Sequence, residues 1–300
     1  MRAIRFSTYG DPGVLRLEDV DRPVPGPGEV LVRVAATSFN PVDAAFRAGH
    51  LQQAMPIALP HTPGVDVSGT VDGAGNAVIG FLPMTSPGAA AEFVVAPAEV
   101  LTAAPTSIPL ADAAAVPAVA LTAWQGLFEH AGLQAGQRVL INGAGGGVGG
   151  YAVQFAAQAG ATVVATASPR STQAVRAAGA HQLVDYTATP VTDAIDEPVD
   201  AVFNLVYADE TAMAALVSLI KPGGVLVSTA SPAPEDVDRK VRTMNMYVRS
   251  DTTQLAEIVR RIDAGPLTVD ISGRYPLAEL AEVHERDAAG DLRGKVVITA

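Results

Sequence analysis

Residues Gln137–Arg170 read QRVLINGAGGGVGGYAVQFAAQAGATVVATASPR. The apolar run Arg138-Val139-Leu140-Ile141 has the length and composition of a buried strand, and a glycine cluster follows at Gly143 and Gly145–Gly147, Gly149 and Gly150. A helical pattern then runs from Tyr151 to Ala159 and stops at Gly160, before a second strand-like run, Thr162-Val163-Val164-Ala165-Thr166. Strand, glycine turn, helix, strand is half of a dinucleotide-binding βαβ unit. One glycine permits the tight turn, the next ones let backbone N–H groups come close to a pyrophosphate, and the last lets helix and strand pack closely. The free N–H donors and partial positive charge of the helix start attract phosphate. Two registers fit the fingerprint: Gly145/Gly147/Gly150, or Ala144/Gly146/Gly149 with alanine first. Both place the diphosphate on the amides of Gly145, Gly146, Gly147, Val148 and Gly149. A merely flexible glycine loop does not explain apolar runs on both sides.

The residues after the second strand bear on which dinucleotide is bound. A carboxylate about 20 residues on, holding a ribose 2′-hydroxyl, marks NAD sites. Here that place holds Ala167 and Ser168, then Pro169 and Arg170. A hydroxyl and a guanidinium suit a 2′-phosphate, so NADPH is expected in preference to NADH. The plainer reading of Arg170 is a solvated loop cation.

The chain has 300 residues, long enough for two domains, with 49% hydrophobic and 17% charged residues. A net charge of −11 disfavours nucleic-acid partners. With no cysteine, thiolate nucleophiles and cysteine-ligated zinc are excluded. The N-terminus shows no secretory signal, and no uninterrupted apolar run is long enough for a membrane span, so a cytoplasmic location is expected.

Outside the opening stretch, residues 1–100 read as β-rich. Strand patterns lie at Met1–Phe6, Val14–Val20, Glu29–Thr37, Val65–Val71 and Phe93–Val95, punctuated by proline and glycine. Leu110–Ala115 and Val119–His130 are read as helices with Pro117 as a break. From residue 137 to 250 strands and helices alternate, with a turn expected at Lys221-Pro222-Gly223-Gly224 and a further strand at Met244–Val248. That alternation predicts an α/β fold with a doubly wound parallel sheet. Ligands of such sheets sit at the carboxyl ends of strands, which brings Asn204, Leu205, Val206, Thr229, Ala230 and Ser231 toward the cofactor. The tail, 251–300, reads as helix, strand, helix and a closing strand at Lys295–Thr299.

The pieces NPVD (40–43), HTPGVDVSG (61–69), LTAW (121–124), GAGGGVGG (143–150), KPGG (221–224) and RGKVVIT (293–299), in this order, resemble the zinc-independent quinone oxidoreductases of the medium-chain dehydrogenase/reductase superfamily. The resemblance implies a GroES-like β-rich substrate domain, 1–113 with 251–300, and a Rossmann NADPH-binding domain, 114–250. It implies hydride transfer from NADPH to a small-molecule quinone or α,β-unsaturated carbonyl, in a homodimer that pairs through Met244–Val248. An enoyl or polyketide-tailoring reductase on the same scaffold is the alternative. A non-catalytic NADPH-binding redox sensor is a third reading. By likeness, Asn40 lies beside the nicotinamide ribose and substrate, where its amide hydrogen-bonds both or holds a developing enolate oxygen, Thr122 sets its hydroxyl near the nicotinamide, and Tyr186 packs on the adenosine side and touches the 2′-phosphate. Asp43 is read as holding its own loop. Asn40 and His61-Thr62-Pro63-Gly64 stand where zinc relatives carry a cysteine and a His-Glu pair, so no metal is expected. Relatives often place a tyrosine where this chain has Ala45, so either protonation from water or a bulkier substrate filling that space is expected.

Overall fold

The computed structural model describes residues 1–300. The chain divides into two compact units, residues 1–118 with 250–300 and residues 119–249. In the first, β1 (Arg2–Arg5) and β2 (Arg16–Asp19) form an antiparallel ribbon. They are followed by β3 (Glu29–Ser38), α1 (Pro41–Ala48), β4 (Asp66–Val71), β5 (Ala77–Phe81), β6 (Phe93–Pro97) and β7 (Leu101–Ala103). The chain crosses into the second unit within α2 (Pro117–Trp124). There β8 (Arg138–Asn142), α3 (Gly147–Gln158), β9 (Thr162–Ala167), α4 (Thr172–Ala177), β10 (Gln182–Asp185), β11 (Val199–Asn204), α5 (Glu210–Ser218), β12 (Ile220–Ser228) and β13 (Arg242–Asn245) follow. It returns through α6 (Thr252–Asp263), β14 (Ile271–Pro276), α7 (Leu280–Ala288) and β15 (Lys295–Thr299).

In the first unit, β3 is the organising strand: it pairs with β6, β4 and β15 in turn along its length. Val32, Val34 and Ala36 point inward while Arg33 stays exposed, the period of two read from the sequence. From Ala36 to Ser38 every residue is buried, because here the strand runs between β4 and β15. Phe39, Leu277, Leu280, Val283 and Ile298 form one core cluster of this unit, uniting the two chain ends. A second cluster joins Val32, Val34, Val67, Val78 and Val94.

The second unit is a six-stranded sheet of order β10-β9-β8-β11-β12-β13, parallel throughout. Counted from β8, this is the Rossmann order 3-2-1-4-5-6, reversing between β8 and β11. Leu140, Val164, Val202, Leu226 and Met213 fill part of its core.

Several local expectations are corrected. Leu110–Ala115 forms only a short tight turn at Asp112–Ala115, and Pro117 opens α2 rather than breaking a helix; the first helical turn needs no N–H from proline. After Trp124 the helix widens into π-type turns over Gln125–His130, where a Cβ on Gly126 would lie 2.4 Å from the Phe203 ring. Lys221–Gly224 lies within β12: Val199 pairs with Ile220, the chain bulges, and pairing resumes at Ala201 with Val225. The last strand of the sheet is Arg242–Asn245, ending before Met246.

Candidate functional site

The carboxyl ends of β9, β8, β11 and β12 carry Thr166, Asn142, Asn204 and Ser228, all buried. They form a continuous polar belt across the sheet. The Thr166 hydroxyl accepts the Gly143 N–H (2.7 Å) and donates to Asn142 Oδ1 (3.1 Å). Asn142 Nδ2 donates to Asn204 Oδ1 (2.9 Å), and Asn204 Nδ2 donates to the Val206 carbonyl (2.9 Å) and to Ser228 Oγ (3.1 Å). Ser228 Oγ also accepts the N–H groups of Ala230 and Ser231, and Ser231 Oγ accepts that of Ala208. Buried polar groups cost free energy unless satisfied; here Asn142 links its two neighbours, and Thr166, Asn204 and Ser228 hold backbone groups of the strand-end loops. Asn204 therefore acts on the site by holding Val206, its own side chain being fully buried.

The glycine turn is built around this belt. Gly143 makes the turn, with φ +96°; it precedes both fingerprint registers read from the sequence. A Cβ on Gly149 would lie 2.4 Å from the Gly143 carbonyl oxygen and 2.5 Å from Ala144 Cα, whereas one on Gly150 meets nothing within 4 Å. The glycine of close packing is thus Gly149, which selects the Ala144/Gly146/Gly149 register. Gly146, exposed and extended, caps α3, and the amides of Gly147, Val148 and Gly149 open its first turn, where the helix has no internal acceptors for them. Bare backbone donors at an open helix start fit a dinucleotide diphosphate.

A Cβ on Gly145 would lie 2.6 Å from Ser171 Oγ and 2.7 Å from its Cβ. Gly145→Ala is expected to cost about 1–3 kcal/mol by overpacking. Ser171→Gly in that background should recover most of the loss in a urea melt.

Ser168 and Arg170 follow β9, and Tyr186 follows its neighbour β10, with Asp185 in register with Ala167. These residues share one edge of the strand ends; Tyr186 is 54% exposed. Ser168 is pinned by Ser171 and Thr172. Asp185, a carboxylate on the same edge that was not singled out above, accepts both the N–H and hydroxyl of Thr187, which hold its acidity stronger than usual. Thr122 is buried on α2, one turn beyond Ala118.

In the first unit, Asn40 ends the extended run from β3, Pro41 opens α1, and the Asp43 carboxylate in the first turn accepts the Asn40 N–H (3.1 Å). The other Asp43 oxygen accepts the Gly64 N–H (2.9 Å). Beside them lies a buried ion pair that was not anticipated: Lys295 on β15 and Asp66 on β4, 3.3 Å apart. Lys295 Nζ also donates to the Phe39 carbonyl and to Asn40 Oδ1, each at 2.9 Å. Asp66 Oδ2 accepts Asn40 Nδ2 (2.8 Å) and the Ser38 hydroxyl (2.5 Å), while Oδ1 accepts the Ala118 N–H (2.7 Å) at the start of α2. The sequence held two signals for this pair: a carboxylate between Val65 and Val67 in an apolar strand, and one of only three lysines just before VVIT.

A cation on one side and an anion on the other fix which way the Asn40 amide faces. Its second N–H donates to the Ser38 carbonyl (3.3 Å). Both amide hydrogens are therefore committed, and the expected donation to an enolate oxygen does not fit this geometry. What remains is a lone pair on Oδ1, polarised by Lys295, which suits accepting a hydroxyl.

Burial raises Asp43 to about 6 and lowers His61 to about 4. His61 lies with Asp43, Phe46, Pro63, Leu82 and Met84 around a small pocket, its ring edge-on to Phe6. His284 falls to about 3 through burial and the neighbouring Arg47 guanidinium, whose Nε donates to His284 Nδ1. Asp43's contribution to stability is full below its unfolded value of 3.8 and fades as pH rises through about 6. The two histidines contribute above 6.5 and lose that as pH falls through about 4 and about 3. Near pH 5 the unfolded chain holds two protons on these groups and the folded state one. Stability from these three should thus fall by ~1.4 kcal/mol per pH unit from about pH 6 to pH 4. Asp43→Asn should double that slope in urea melts across the range.

Two family profiles match the chain: "Alcohol dehydrogenase GroES-like domain" over residues 26–106 and "Zinc-binding dehydrogenase" over 178–298. A chloroplast envelope quinone oxidoreductase homolog of Arabidopsis thaliana is 38% identical over 214 residues, 66% of this chain and 64% of that protein. Quinone oxidoreductase of Mus musculus is 34% identical over 243 residues, 76% and 72% of the two chains. A mycobacterial protein solved in complex with NADPH superposes with a TM-score of 0.87 at 28% identity over the full length of both chains. The alignment spans just under two thirds of the Arabidopsis relative. No helix is long and apolar enough to cross a membrane.

Proposed function

The chain belongs to the quinone oxidoreductases of the medium-chain dehydrogenase/reductase superfamily, and from that we propose that it transfers hydride from NADPH to a quinone or α,β-unsaturated carbonyl without zinc. The observation carrying this reading is the turn at the sheet's reversal point, where Gly143 and Gly149 leave room only for backbone and α3 presents its first amides. When bound, NADPH supplies the hydride. The protein's part is to hold and orient. The amides of Gly147, Val148 and Gly149 take the diphosphate, with Ser168 and Arg170 at the 2′-phosphate and Tyr186 beside the adenosine. Val206, Ala230 and Ser231, set by the Asn204–Ser228 belt, line the strand ends. Thr122 and Asn40 serve the nicotinamide end, Asn40 as acceptor of a ribose hydroxyl. With Ala45 offering no proton, the reduced oxygens take theirs from water, which quinones allow.

Zinc independence is supported by the donor set: Asn40 is spent on Lys295 and Asp66, and His61 stands against Phe6 and Phe46. β13 ends the sheet with Met244 37% exposed, and an exposed edge strand suits pairing with a second copy in a homodimer.

The test is NADPH oxidation against a panel of quinones, enals and enoyl thioesters, with Kd for NADPH and NADH measured alongside. The expected result is turnover with quinones or enones and tighter NADPH binding. Asn40→Ala should cut turnover at least about tenfold while the diphosphate site still binds. Tighter NADH binding would remove the cofactor assignment, and thioester turnover alone would favour the enoyl-reductase alternative.

A further inference from the structure

The loop after β11 lies directly on the glycine turn. Leu205 N–H donates to the Asn142 carbonyl (2.9 Å), carrying the β8–β11 contact past the strand ends. A Cβ on Gly143 would meet Val206 Cγ1 at 2.9 Å and Leu205 Cβ at 3.1 Å. The next residues are held from both sides: the Val206 carbonyl by Asn204 Nδ2 (2.9 Å) and the Ala208 N–H by Ser231 Oγ (3.0 Å). Between these two pins stands Tyr207, 84% exposed.

The combination is unusual for a loop residue. The residues on either side of it are bonded into a buried polar belt, so the ring leaves the protein from a fixed base at the reversal point of the sheet. Ligands of this architecture occupy that point. A large ring left in water has apolar area to bury, and its flat face matches any flat conjugated partner. We propose that Tyr207 is a stacking residue for a planar conjugated ring brought to the switch point. That ring belongs to the pyridine dinucleotide or to the quinone. The inference rests on the function proposed above and adds a residue to it.

The experiment measures NADPH Kd by calorimetry and quinone KM by steady-state kinetics for wild type, Tyr207→Phe and Tyr207→Ala. The exposed side chain leaves folding intact, checked by an unchanged melting temperature. Loss of one stacking face is expected to weaken binding about tenfold in Tyr207→Ala, with Tyr207→Phe within about twofold of wild type because the ring face remains. A raised NADPH Kd assigns the ring to the dinucleotide; a raised quinone KM at constant NADPH Kd assigns it to the substrate. If Tyr207→Ala changes neither, the proposal is wrong. If Tyr207→Phe weakens binding as much as alanine does, the hydroxyl rather than the ring is used, and stacking is overturned. Wild-type protein that binds no pyridine nucleotide would sink the functional reading itself, a result visible before any variant is made.

Discussion

Replacing Lys295 by methionine is expected to lower the unfolding free energy by about 3–5 kcal/mol, the usual cost of removing one partner from a buried ion pair. The side chain is 3% exposed and Asp66 is 0% exposed. Methionine keeps most of the volume but none of the three hydrogen bonds that Lys295 Nζ makes to Phe39, Asn40 and Asp66. Asp66 then stays as a buried carboxylate held only by Ser38, Asn40 and Ala118. Asp66→Asn added to Lys295→Met removes that uncompensated charge. The double variant should be more stable than the sum of the single losses implies, with a coupling of roughly 1–3 kcal/mol. Urea melts of the four proteins read this directly. A Lys295→Met midpoint equal to wild type would show that the pair constrains nothing. The two charges also fix the Asn40 amide, so quinone turnover in Lys295→Met should fall further than the loss of folded protein explains, with NADPH affinity retained.

Gly149→Ala is expected to weaken NADPH binding at least about a hundredfold, the equivalent of losing roughly two charge-assisted hydrogen bonds. The added methyl would sit 2.4 Å from the Gly143 carbonyl oxygen and 2.5 Å from Ala144 Cα. Those are backbone atoms of the turn itself, already tied to Thr166 through the Gly143 N–H, so no side chain can rotate away. The start of α3 must lift from β8, and the amides of Gly147, Val148 and Gly149 move with it. Gly150→Ala is the control: nothing lies within 4 Å of its added Cβ. That variant should bind as wild type and gain up to about 1 kcal/mol of stability from helix propensity. Calorimetry on both variants, with melting curves to confirm folding, separates the two positions. Equal affinity in Gly149→Ala and Gly150→Ala would mean that α3 and its turn do not form the diphosphate seat.

The contrast between these two sites follows how far apart their parts lie in the chain. The dinucleotide turn was readable in the linear order because strand, glycines, helix and second strand are consecutive, and each residue type answers a local demand on backbone geometry. The Asn40 site was readable only through NPVD and its likeness to relatives. Its charged partners lie 26 and 255 residues from Asn40, and nothing local to NPVD calls for them. Even within the turn, the first glycine was misplaced by one or two positions. The positive φ at Gly143 arises from how the turn leaves β8, whereas spacing alone favoured Ala144 or Gly145.

Local chemistry in the chain was enough to determine a parallel doubly wound sheet, a phosphate-seeking helix start, the lack of thiolate ligands, and a β-rich first hundred residues. Each of these depends on periodicity, glycine placement or composition over a few neighbouring residues. Tertiary structure alone decided that both Asn40 amide hydrogens are committed to Ser38 and Asp66, that Gly149 and not Gly150 packs on the turn, and that a hydroxyl–amide belt fixes the strand ends. Those outcomes come from which buried donors and acceptors meet once distant strands pair, and from how closely two backbones approach.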